Sequence, residues 1–143
     1  MTTSYRKRLT ANDTGETGGH QAGICVPRDD DALLSFFPTL DPAVFNPDAW
    51  LLCEDDSGVE WRMRYIYYNG RLHGRNTRNE YRITHMTKYL RRWGAKVGDS
   101  IVFTNKSTPF HYGIRLEREA DSMSAEEDPL PGLIILRGWK RVF

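Results

Sequence analysis

From Asp29 to Glu60 this 143-residue chain has nine acids and not one lysine or arginine. From Arg62 to Lys96 the deficit reverses. There ten Lys/Arg face a single acid, Glu80, a local net charge of 10 − 1 = +9 in a chain whose formal total is +1. Polarised charge in a nearly neutral molecule fits one surface turned to a polyanion and an acidic surface turned away from it.

Other shortages narrow the classes further. No run of eighteen apolar residues or signal-peptide pattern occurs, since MTTSYRKRLT leads straight into polar sequence, so neither a membrane nor a secreted protein is expected. Only two cysteines are present, Cys25 and Cys53, and both are expected to be reduced core thiols of a cytoplasmic protein. With four histidines they lack zinc spacing. The glycine-rich Gly18-Gly19-His20-Gln21 lacks the GK[ST] ending of a phosphate-binding P-loop. Its glycines would let backbone N–H groups approach a phosphate, while His20 and Gln21 could donate to base edges.

Nuclease chemistry is the rival class. A PD-(D/E)xK site needs an acid and an (Asp/Glu)-x-Lys on adjacent strands to hold Mg²⁺. Asp55, Asp56 and Glu60 supply acids, but Glu60 is followed by Trp61-Arg62, and Lys140 has no acid two positions upstream. A histidine-based mechanism would need His20 and His111 as base and acid, with no supporting pattern around them. RNA binding would want exposed aromatics, whereas Trp61, Tyr65 and Tyr67 read as core.

The chain is of single-domain size with ordinary globular composition, 39% hydrophobic and 27% charged. Strands are expected at Tyr5–Leu9, Ala22–Val26 and Val59–Tyr68, where Val59, Trp61, Met63, Tyr65 and Tyr67 alternate with polar residues. Asn69-Gly70 then signals a tight hairpin whose return strand starts at Arg82. Ser100–Thr104, His111–Glu117 and Leu133–Lys140 complete seven strands. Helices are expected from about Asp30 to Phe37, behind an acidic cap, and at Thr87–Trp93, stopped by Gly94. Glu117–Asp128, with six acids and one base, reads as a solvated loop. The sum is a mostly β (α+β) barrel or pseudobarrel.

Two polar stretches, Thr14–Gln21 and Arg71–Arg82, are too rich in Gly, Asn and charge for a core and read as exposed loops. In Thr77–Arg82 (TRNEYR), Arg78 and Arg82 carry the fork that matches guanine O6 and N7, and Asn79 can pair with adenine or brace the loop. Glu80 is repelled by phosphates, but its carboxylate can accept from cytosine N4. The competing role for Glu80 is a surface ion pair with Arg78 or Arg82.

RLTANDTGETGGHQAGICVP (Arg8–Pro27) and YIYYNGRLHGRNTRNEYRIT (Tyr65–Thr84) resemble the two DNA-grasping arms of the amino-terminal effector domain of EcoRII-type (Type IIE) restriction endonucleases. The carboxyl half, with Gly98-Asp99 before Ile101-Val102-Phe103, is similar to the plant B3 DNA-binding fold, a seven-stranded pseudobarrel with two helices. The resemblance implies one B3-like domain over residues 1–143. It also implies recognition of double-stranded DNA at a site like CC(A/T)GG, by arms at about 14–25 and 71–84 entering the major groove. The implied contacts are Gly19, His20 and Gln21 in the first arm. In the second they are Arg71, Arg75, Asn76, Arg78, Asn79, Glu80, Tyr81 and Arg82. Cys25 stands at an arm position that is aromatic in the best-known member, Tyr81 at a basic one, and the loop before Arg78 is one residue longer. Nothing after Asp128 resembles a catalytic half. The domain is therefore expected to be a non-catalytic, cofactor-free monomer in the interior of a bacterial or archaeal cell, serving a separate Mg²⁺-dependent nuclease domain.

Overall fold

The computed structural model describes residues 2–15, 23–119 and 138–142. Eight strands form one sheet: β1 (Ser4–Arg8), β2 (Ile24–Val26), β3 (Asp48–Glu54), β4 (Glu60–Tyr68), β5 (Glu80–Thr84), β6 (Ser100–Asn105), β7 (His111–Glu117) and β8 (Trp139–Arg141). Three helices join them: α1 (Ala11–Thr14), α2 (Asp31–Phe36) and α3 (Thr87–Trp93). The sheet order is β2-β5-β4-β3-β7-β6-β1-β8, and every neighbouring pair is antiparallel except β3 with β7. The sheet curls into a half-barrel of the expected mostly β class.

The alternation of β4 holds at its centre, where Met63, Tyr65 and Tyr67 are buried and Arg62 is exposed on the other face. Val59, expected inward, precedes the strand and is exposed, Trp61 is half-buried, and Ile66 on the outer face is buried. The inner faces close on an aromatic cluster in which Phe37 stacks on Tyr65, with centroids 5.0 Å apart, and meets Phe103 and Trp139 edge-on. Asp30 caps α2 by accepting from the Leu33 N–H.

Several expectations change, and α1 adds a third helix to the two expected. The described residues hold eight strands, because β3 lies in what reads as an acidic segment. Leu51 and Cys53 point inward, but Trp50 and Leu52 on the outer face mask the alternation. Asn69-Gly70 makes no two-residue hairpin: β4 ends at Tyr68 and β5 starts at Glu80, so 69–79 is a long loop and Glu80, Tyr81 and Arg82 belong to a strand. Cys25 is half-buried on the outer face opposite Arg82, whereas Cys53 is core and its thiol is pushed up to about 12 by burial. Of the expected Leu133–Lys140 strand, 133–137 lie outside the described residues, as does most of the acidic Glu117–Asp128 loop.

Candidate nucleic-acid interface

The second arm is the loop 69–79 with the start of β5. Its root is Asn69, which is fully buried. The Asn69 Nδ2 donates to the carbonyls of Val44 (2.8 Å) and Pro42 (3.1 Å), its Oδ1 accepts from Asn46 N–H (2.8 Å), and its own N–H donates to Asn46 Oδ1 (3.2 Å). The loop 42–46 thus clasps the arm, with Asn46 held at φ 49°. Phe45 lies under the Arg75 guanidinium at 4.4 Å, and its ring meets His73 edge-on at 5.8 Å. Part of the acid-rich stretch therefore buttresses the arm instead of turning away from it.

The loop is also bonded to itself. The Arg71 N–H donates to the Arg78 carbonyl (2.9 Å), Arg75 N–H to the Gly70 carbonyl (2.8 Å), and Arg78 N–H to Asn76 Oδ1 (2.9 Å). Asn76 packs directly on Gly70: a Cβ there would stand 2.0 Å from Asn76 Oδ1 and push that side chain off the Arg78 N–H. Such bonding orders the main chain that carries the exposed Arg71, Arg75, Asn76 and Arg78.

Alternation in β5 sorts the remaining residues. Glu80 and Arg82 share the outer face with Tyr68, while Tyr81 turns inward with Ile83. Arg78 Nη2 donates to Glu80 Oε1 at 2.8 Å while its guanidinium lies 3.6 Å over the Tyr68 ring. Arg82 Nη1 is 3.9 Å from the same oxygen. The Asn79 Oδ1 accepts from the Tyr67 hydroxyl at 2.5 Å. Tyr81 does not join the outward set: its ring stacks on Tyr67 at 4.2 Å and 3° and on Tyr65 at 5.8 Å. Burial, and then the neighbouring Tyr67, raise its hydroxyl above the usual phenol range.

The first arm's Gly19, His20 and Gln21 lie outside the described residues, but its two stems are defined. Thr10 caps α1 in a reciprocal capping box with Asp13, whose carboxylate also takes the buried Lys7 Nζ at 2.7 Å. The Gly23 N–H donates to the Asp13 carbonyl at 3.0 Å, pinching the arm's base. Gly23 runs so close to β5 that a Cβ would meet the Ile83 carbonyl at 2.8 Å. The first arm thus rejoins the sheet beside Thr84, while the second reaches it at Glu80. Four residues of strand, about 13 Å, separate the two roots.

The basic run of 62–96 is not one surface. Arg71, Arg75, Arg78 and Arg82 gather at the second arm. Lys88, Arg91, Arg92 and Lys96 sit on or just after α3, which is anchored through Trp93 to Asp55 at the opposite end of β4.

The candidate nuclease carboxylates do not converge. Asp55 is buried and accepts from Ser57 N–H and Oγ, Val59 N–H, and the indoles of Trp61 (2.8 Å) and Trp93 (3.1 Å). Burial pushes its pKa up, but those hydrogen bonds outweigh it and hold the carboxyl well below the usual range. Asp56 and Glu60 are exposed, and the described residues hold no group of three or more His, Cys, Asp or Glu suited to a metal ion. No helix among them is long and apolar enough to cross a membrane.

The family described as restriction endonuclease EcoRII, N-terminal, matches residues 1–97. The chain belongs to the EcoRII N-terminal family. It is 43% identical over 83 residues to the Type II restriction enzyme EcoRII of Escherichia coli, a match covering 56% of this chain and 20% of that enzyme. It is also 43% identical over 63 residues to auxin response factor 3 of Arabidopsis thaliana, covering 44% of this chain and 9% of that protein. The EcoRII match thus spans about a fifth of the length of that enzyme. Among solved structures it resembles the Arabidopsis FUS3-DNA complex, with TM-score 0.60 and 18% identity over 79% of this chain and 94% of that one. That likeness identifies the fold as B3-like.

Sequence reasoning had no signal for Phe45 and Asn46, which work across a gap of more than twenty residues. It read Asn69 as part of a two-residue hairpin turn and missed its buried clasp with Asn46. Tyr81 could have been placed inward from its period-2 spacing to Ile83.

Proposed function

We propose that this domain binds double-stranded DNA sequence-specifically as the recognition or effector module of a restriction endonuclease. The two arms enter the major groove at a G·C-containing site resembling CC(A/T)GG. Family membership supports DNA as the ligand. The observation that carries base reading is the triad on the outer face: an acceptor, Glu80, flanked by two arginine donors and held by a stacked ring. A purely electrostatic binder gains nothing from a carboxylate amid phosphates, whereas Arg–Glu–Arg matches guanine, cytosine N4 and guanine edges. In the free protein the Arg78–Glu80 pair is exposed, and such pairs are worth about 0–1 kcal/mol. Opening it for base edges therefore costs little.

Asn79 and Arg82 complete the reading set in the second arm, His20 and Gln21 that of the first, and Gly19, Arg71, Arg75 and Asn76 serve the phosphates. The domain acts as a monomer without cofactor, and cleavage belongs to a separate Mg²⁺-dependent nuclease domain. Selection from randomised duplexes tests the reading. Enrichment of one short G·C-containing site supports it, and recovery of unrelated sequences at equal affinity contradicts it.

A further inference from the structure

Trp50 is 40% exposed on the outer face of β3, outside the aromatic core. The Arg62 guanidinium lies 5.0 Å over its ring, and the His85 ring meets it edge-on at 5.0 Å. His85 is exposed and holds a left-handed φ of 64° just after β5. Neighbouring Arg64 is matched by Asp48 at 2.7 Å, but Arg62 has no carboxylate within 4.0 Å among the described residues. An arginine stacked on an indole keeps the in-plane N–H groups of its fork available to a phosphate, and its stem is already ordered.

Strand register makes this cluster continuous with the arm's face. Trp50 stands opposite Arg64, Arg64 opposite Thr84, and Ile66 opposite Arg82. Arg62 lies six residues along β4 from Tyr68, about 20 Å. Duplex DNA presents a phosphate about every 1.7 Å of axis, so a duplex gripped at Arg78 and Arg82 brings phosphates across this face.

The geometry points to a third contact: Trp50, Arg62 and His85 form a ledge that takes the sugar–phosphate backbone of the duplex outside the bases read by the arms. This rests on the DNA-binding reading and extends it to a surface that neither arm includes. Titrate the wild type, Arg62→Ala, Trp50→Ala and Arg78→Ala with a selected duplex and its scrambled counterpart, over a range of salt. Arg62→Ala should weaken both duplexes by the same factor and lower the salt slope by about one unit. Trp50→Ala, which removes the platform, should act in the same direction. Arg78→Ala instead should change the ratio between the two duplexes. Wild-type affinity and slope in both ledge variants overturn the ledge and leave the arms standing, as does a loss confined to the selected duplex. If the wild type itself binds neither duplex, the DNA reading falls and the ledge with it.

Discussion

Arg78 and Glu80 are joined by a 2.8 Å hydrogen bond between Nη2 and Oε1, and the Tyr68 ring lies beneath that arginine at 3.6 Å. The pair crosses the start of β5, where alternation sends Tyr81 inward and leaves Glu80 and Arg82 on the outer face. Such an exposed pair contributes only about 0–1 kcal/mol to stability.

Arg75 and Arg78 should respond differently to removal. Arg75 rests on Phe45 and belongs to the proposed phosphate contacts, so Arg75→Ala should weaken all duplexes and lower the salt slope by about one unit. Arg78→Ala should cost specific binding about 1–3 kcal/mol and nonspecific binding much less. Gel-shift titrations on selected and scrambled duplexes separate the two, and equal losses for Arg78→Ala would reduce it to a phosphate contact.

Asn69→Ala should loosen the second arm at its root. It removes the three side-chain hydrogen bonds that tie the arm to the loop 42–46, each worth about 0.5–1.5 kcal/mol, while the Pro42 carbonyl keeps the His73 ring nitrogen at 3.1 Å. Urea unfolding should show the loss. Specific duplex binding should fall beyond what the unfolded fraction explains, because the arm is no longer ordered. A stability loss with binding per folded molecule intact would contradict the buttress.

How much of this was legible in the sequence depended on distance along the chain. β4 announced itself because Trp61, Met63 and Tyr65 alternate with Arg62 and Arg64, and the polar block from Arg71 to Arg82 stood out by composition. β3 did not, since Trp50 and Leu52 place apolar groups on its outer face. Asn69-Gly70 carries a strong local hairpin signal, yet the tertiary clasp with Asn46 overrides it, and no local pattern encodes a partner 23 residues away. The acids at Asp55, Asp56 and Glu60 lack the lysine of a nuclease site, and the Asp55 carboxylate is taken up by the indoles of Trp61, six residues on, and of Trp93, from a distant segment.

Asp55 also predicts a pH dependence. Its folded pKa is depressed, so its stabilising contribution is fully present above the unfolded carboxyl pKa of about 3.9 and is lost as pH falls below that. Asp55→Asn should therefore be less stable than wild type at neutral pH, with the gap narrowing only below about pH 4. Urea midpoints measured across pH 2.5–7 should trace this; a gap independent of pH in that range would contradict an ionised Asp55.

With Mg²⁺ and plasmid carrying the selected site, this domain should bind without cutting. Cleavage abolished by substituting Asp56, Glu60, His20 or His111 would replace the binding-module account with a nuclease.

Glu80→Ala tests the central claim, base reading by the second arm, most directly. Removing a negative charge beside phosphates strengthens nonspecific attraction under any account. If Glu80 accepts from cytosine N4, its loss also leaves that amino group unpaired in a desolvated interface, at about 1–3 kcal/mol. The measurement is the affinity of wild type and Glu80→Ala for the selected duplex, for random duplex, and for the selected duplex with that cytosine replaced. The account predicts weaker selected binding, equal or tighter random binding, and little further loss on replacing the cytosine in the mutant. Tighter binding to selected and random duplexes alike would contradict it.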